Sequence, residues 1–84
     1  MHELESMINI GPELAKQLVS AGINTPDELR AAGSREAWLR IRSSDPSACL
    51  SRLSALEGAV QNIRWHHLDK AVKESLKAFY HNHQ

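Results

Sequence analysis

The sequence is poor in several things at once. It has a single cysteine, Cys49, so no internal disulfide can form, and that usage suits a reducing compartment. No apolar run approaches the roughly 20 residues needed to cross a bilayer. The start, Met1-His2-Glu3-Leu4-Glu5, has neither the basic residues nor the apolar segment of a signal peptide. A cytoplasmic location without membrane contact is the expectation. Net charge is zero, with ten basic and ten acidic residues, which removes a global electrostatic pull toward nucleic acid. Apolar residues nowhere alternate with polar ones for long enough to make a strand. No repeat of fixed period and no low-complexity linker interrupts the chain.

What is present is helical. The 84 residues are 42% hydrophobic and 24% charged, and are expected to form one domain over residues 1–84 with a thin core. Leu4, Met7 and Ile8 share a face of a short first helix. The stretch Ile8-Asn9-Ile10-Gly11-Pro12-Glu13-Leu14-Ala15 then writes a tight turn and a helix start, because Asn9 and Gly11 tolerate positive φ and Pro12 suits a first turn. Leu14, Ala15, Leu18 and Val19 continue that second helix to about Ala21, with Gly22 at C′ and Ile23 beyond it. Thr25 caps a third helix, Pro26 to Ala32, which Gly33 ends. Ser34 is read as the cap of a fourth, carrying Ala37, Trp38 and Ile41 on one stripe. Ser43-Ser44-Asp45-Pro46 stops it. The fifth, about Ser47 to Asn62, places Cys49, Leu53, Leu56 and Val60 on a stripe that reads as buried. Gly58 lies inside it at a cost of about 1 kcal/mol relative to Ala, which a close helix crossing would explain. Asp69 caps a last helix with Val72, Leu76, Phe79 and Tyr80 as its apolar positions. The expected fold class is therefore all-α: a compact domain of five or six short helices, opened by a helix-hairpin-helix-like unit.

Little in the sequence suggests catalysis. Cys49 on an apolar stripe reads as a buried, inert thiol. His66 and His67 are adjacent and point apart on a helix, and His81 and His83 lie at the terminus, so no metal-ligand pair is formed. No enzyme activity, catalytic residue, metal or cofactor is expected. Trp38 and Trp65 are read as core anchors, with Trp65, at a helix junction beside two histidines, also a candidate partner anchor.

The hairpin is read first as the structural turn that sets the first two helices, and second as a candidate contact. In helix-hairpin-helix modules the backbone N–H groups of the turn and of the following helix meet a DNA phosphate. Here Asn9 stands where such motifs commonly have a first glycine, and Glu13 where a basic residue often sits. Residues 1–33 carry two basic and five acidic residues, and residues 34–84 carry eight and five, so the hairpin lies in the acidic half.

Taken in order, Asn9-Ile10-Gly11-Pro12, Ala21-Gly22-Ile23, Thr25, Glu28-Leu29-Arg30, Gly33-Ser34-Arg35-Glu36-Ala37-Trp38, Cys49-Leu50, Leu53, Ala55-Leu56-Glu57-Gly58-Ala59 and Arg64-Trp65-His66 resemble the C-terminal domain of the TfoX/Sxy family, the bacterial competence regulators. The resemblance spans roughly residues 3–77. It implies a small helical domain, which in two-domain members follows an N-terminal α/β domain that this sequence lacks, and so either a stand-alone version, the reading preferred, or an excised piece. It also implies a link to the switching on of DNA-uptake genes together with a separate DNA-binding transcription factor.

Two functions follow as expectations. The first is a non-catalytic interaction module that binds a protein partner in gene regulation. The alternative is a weak, sequence-independent DNA-binding domain. The contact residues, for either nucleic acid or a partner, would be Asn9, Gly11, Pro12, Lys16, Arg35, Arg40 and Arg42. A homodimer through the amphipathic last helix, with Phe79 and Tyr80 at its end, is a further option.

Overall fold

The computed structural model describes residues 3–83. Among them are four α-helices: α1 (Pro12–Ser20), α2 (Pro26–Ser44), α3 (Leu50–Gln61) and α4 (Lys70–Asn82). Two 3₁₀ turns, Glu3–Ser6 and Trp65–His67, complete the regular structure. The protein is all-α, but the expected five or six helices are corrected to four.

Two local causes account for the difference. The first segment closes i→i+3 bonds, with the Met7 N–H donating to the Leu4 carbonyl at 3.1 Å, and so forms a single 3₁₀ turn. The hairpin thus has only one true helical limb. Further on, Gly33 takes φ 84° and ψ 163°, which is not helical, so α2 is two helical segments meeting at a kink where the stop at Gly33 was expected; they follow one another with no loop between them and count as one element. That φ is open to glycine and strained for other residues. Ser34 consequently does not act as an N-cap; its buried hydroxyl donates across to the Glu57 carboxylate on α3.

Other boundaries follow local chemistry. The Thr25 hydroxyl accepts from the Glu28 N–H at 3.1 Å and Pro26 follows it, so α2 starts where its cap dictates. At the end of α1, Ile23 N–H reaches the Leu18 carbonyl at 2.8 Å and Gly22 N–H the Val19 carbonyl at 3.0 Å, a Schellman closure that buries Ile23. The same closure ends α3: Ile63 N–H bonds the Gly58 carbonyl at 2.9 Å, and Asn62 takes the left-handed position at φ 60°. Asp69 stands at the N-cap of α4 without a side-chain capping bond, so the expected cap is corrected in chemistry though not in place.

α3 begins three residues later than expected. The Asp45 carboxylate accepts from both the Ser47 N–H, at 3.0 Å, and the Ser47 hydroxyl, holding that segment in a turn. Cys49 is therefore the exposed N-cap of α3 and not a buried thiol on its stripe, which corrects the sequence reading.

The core is one apolar cluster. Leu4, Leu18, Ile23, Leu29, Trp38, Ile41, Leu53, Leu56 and Leu76 are its fully enclosed large side chains. Trp38 lies in the second half of α2. Its indole N–H donates to the Cys49 carbonyl at 3.2 Å. Phe79 and Tyr80 from α4 meet its ring edge-on at 5.9 and 5.8 Å, and the Arg42 guanidinium covers it at 5.7 Å.

Candidate functional site

Asn9 sets the hairpin. Its backbone is left-handed, with φ 71°, a region Asn enters more readily than most residues. Its side chain turns inward. Nδ2 donates to the Ile63 carbonyl at 2.9 Å and toward the Ala55 carbonyl at 3.4 Å. Oδ1 accepts from the Trp65 N–H at 3.3 Å. Two carbonyls on one side and one N–H on the other leave the amide a single orientation. Gly58 makes room for it. A Cβ there would collide with Asn9 Nδ2, would sit 2.6 Å from the Ile63 carbonyl oxygen and would lie 3.2 Å from Trp65 Cα. The close approach expected at Gly58 is thus the hairpin's side chain and the chain reversal after α3, not a second helix.

Ile10 is buried in the core, and beyond it Gly11, Pro12 and Glu13 are exposed. Gly11 is the N-cap of α1 in extended conformation, with no side-chain capping bond. Nothing lies within 4 Å of a Cβ built on it, so packing does not demand glycine there. Pro12 and Glu13 are exposed in the first turn. One turn on, Lys16 is exposed and shares a shallow groove with Glu5, Pro12, Ala15, Val19 and Ser20. Val19, expected on the core stripe, is 39% exposed and is the one large hydrophobic residue left open among the described residues. On the opposite side of α1, Gln17 donates to Asp45 at 3.0 Å. The same carboxylate oxygen pairs with Arg52 of α3 at 2.9 Å. The bonds from Ser47, then those from Arg52, hold the Asp45 carboxyl below the usual carboxylate range.

The three arginines have separate tasks. Arg35 donates to the Ser75 hydroxyl on α4 at 2.9 Å and lies 5.9 Å from the Phe79 ring centre. Arg40 pairs with Glu36 at 2.9 Å and borders a second groove, beside Gly22, Asn24 and Glu28. Arg42 covers Trp38. Of the predicted contact residues, Pro12 and Lys16 share the groove along α1, and Arg40 lines the separate groove.

Trp65 is half-buried in the second 3₁₀ turn. Its ring stacks on His66 at 4.0 Å, and the Lys73 ammonium donates to the His66 carbonyl at 2.8 Å. The roles of Asn9 as a clamp and of Gln17 and Asp45 as a second tie escaped the sequence reading. The signal for the first was an Asn in a position that needs positive φ. It carries a side chain where glycine would carry none.

Among the described residues no group of three or more His, Cys, Asp or Glu could hold a metal ion, and no helix is long and apolar enough to cross a membrane. A family model described as the TfoX C-terminal domain matches residues 1–80. The chain belongs to the TfoX C-terminal domain family. Two crystal structures of Listeria monocytogenes proteins share the fold. An uncharacterized protein in a triclinic form is 54% identical, with a TM-score of 0.93 over 94% of this chain and 90% of its own. A protein of unknown function in a tetragonal form is 52% identical, with a TM-score of 0.93 over 95% of this chain and 99% of its own. No curated protein matches. Domains of the TfoX C-terminal family are non-catalytic, and this chain is a small helical member of that family.

Proposed function

We propose that this domain is a protein-interaction module in gene regulation, and that the outward flank of the hairpin and α1 is its contact face. The supporting observation is the mixed chemistry of that flank. Pro12 and Val19 offer apolar surface, Lys16 adds one cation, and Glu5 borders the same groove, while Glu13 is exposed in the first turn of α1. A phosphate backbone would meet those carboxylates, and its affinity depends on many unpaired cations. Arg35, Arg40 and Arg42 are engaged with Ser75, Glu36 and the Trp38 ring respectively. A protein surface can match apolar patches and both signs of charge at once.

The test compares three forms of the intact chain as affinity baits in an extract of the native host: the parent, Val19→Glu on the proposed face, and Lys77→Glu on α4. The expected result is one stoichiometric protein retained by the parent and by Lys77→Glu and lost by Val19→Glu. Equal retention by all three, or none by any, overturns the reading. A duplex-DNA titration at low salt separates the DNA reading. A complex that weakens steeply as salt rises would replace a protein partner with a phosphate backbone.

A further inference from the structure

Asn9 bonds to three separate points, one within α3 and two in the junction that follows it. Its amide reaches the Ala55 and Ile63 carbonyls and receives the Trp65 N–H. Gly58 is bare so that this amide fits. Asn9 is also two residues from Gly11 and three from the first residue of α1. The far end of the link is Trp65, half-buried and stacked on His66. Two stretches of surface more than 50 residues apart in sequence, with separations of 54 and 56 at the Ile63 and Trp65 bonds, therefore share one half-buried amide.

We propose that Asn9 is a positioning residue that couples the hairpin to the Trp65 turn, so that a displacement at either is transmitted to the other. The coupling is a property of the isolated chain. It stands or falls whether or not the α1 flank binds a protein. Its physical basis is that the amide cannot keep its donors and acceptor satisfied if one side moves alone. Moving one segment alone breaks bonds that this half-buried site holds in fixed geometry, so the two segments shift together. A contact that seats on the hairpin would thus alter the presentation of Trp65, and the reverse.

The experiment uses amide and indole NMR of the full chain. Asn9→Gly keeps the left-handed backbone available and removes the side chain. Gly58→Ala keeps Asn9 and evicts its amide. Both variants are expected to shift the Gly11 amide and Trp65 amide and indole resonances together, while the Trp38 indole resonance stays near its parent position. Both should also speed exchange of the Trp65 amide by about tenfold more than that of the Leu53 amide in the core, the factor that loss of one hydrogen bond gives. A merely stabilising role would scale all exchange rates equally. If Trp65 moves and Gly11 does not, or if exchange at Trp65 follows Leu53, the coupling is refuted. Should Gly58→Ala fail to fold, Asn9→Gly alone decides, because it adds no atoms.

Discussion

Gly58→Ala sets two opposing effects against each other. In an ordinary helix interior, alanine replaces glycine with a gain of about 1 kcal/mol. Here the new methyl collides with the Asn9 amide and sits 2.6 Å from the Ile63 carbonyl oxygen. The first neighbour is a side chain and can leave, but leaving costs its bonds to Ile63 and Trp65, each worth about 1 kcal/mol. The second neighbour is backbone, in the Schellman closure of α3. Moving it is an overpacking cost of about 1–3 kcal/mol. The losses outweigh the propensity gain, and the net expectation is a destabilisation of about 2–4 kcal/mol. For a chain of this size that corresponds to a melting point lower by roughly 10–30 °C. Urea unfolding followed by circular dichroism at 222 nm, with the slope held common, measures it. In a double-mutant cycle, part of the cost should disappear when Asn9→Gly is already present, because the evicted amide is gone. A Gly58→Ala chain as stable as the parent, or more so, would refute the steric account of this glycine.

Three further expectations follow from other parts of the molecule. Asp45 has a folded pKa below its unfolded value near 3.9, so its contribution is present above that value and is lost as pH falls through the folded one. Urea midpoints measured down this acidic window should fall less steeply for Asp45→Asn than for the parent, and parallel curves would deny the carboxylate that role. Trp38→Ala removes the largest enclosed side chain and should cost about 3–5 kcal/mol, enough to leave much of a small domain unfolded, read as loss of amide dispersion in an NMR spectrum; a well-dispersed spectrum would contradict it. The exposed Cys49 thiol should react with a water-soluble disulfide reagent in the native state, without waiting for unfolding, and a rate that tracks the unfolded fraction would place the thiol inside.

Much of this arrangement was legible in the residues. Thr25-Pro26 marks a helix start and Gly22-Ile23 a helix stop because the capping chemistry is local and needs no partner. Leu53 and Leu56 mark the core face of α3 through spacing alone. The illegible parts depended on contacts distant in sequence or on competition between local bonds. Gly33 reads as a terminator and the backbone does leave helical geometry there; what its residue type could not show is that the next segment starts at once with no loop, anchored by the buried Ser34, Ala37 and Trp38. The segment from Ser47 looks helical by spacing, but the Asp45 carboxylate captures Ser47 first. Asn9 was readable as a turn residue, while its partners, Ala55, Ile63 and Trp65, were not. The outward flank of α1 was readable only in part: Val19 fits the apolar stripe by spacing, yet it lies one position past the buried Leu18 and opens to solvent.

The cover over Trp38 has a consequence for how this protein comes into being. Its indole sits in the middle of the chain, whereas two of the rings that enclose it, Phe79 and Tyr80, come near the end. During synthesis the hairpin, α1 and α2 emerge first, carrying the largest apolar side chain of the core with its final neighbours still unmade. The core therefore cannot close from the N-terminus onward, and closure waits for the last helical turns of α4 to dock. Until then the nascent chain displays an open tryptophan, a natural handle for the machinery that shelters unfinished proteins.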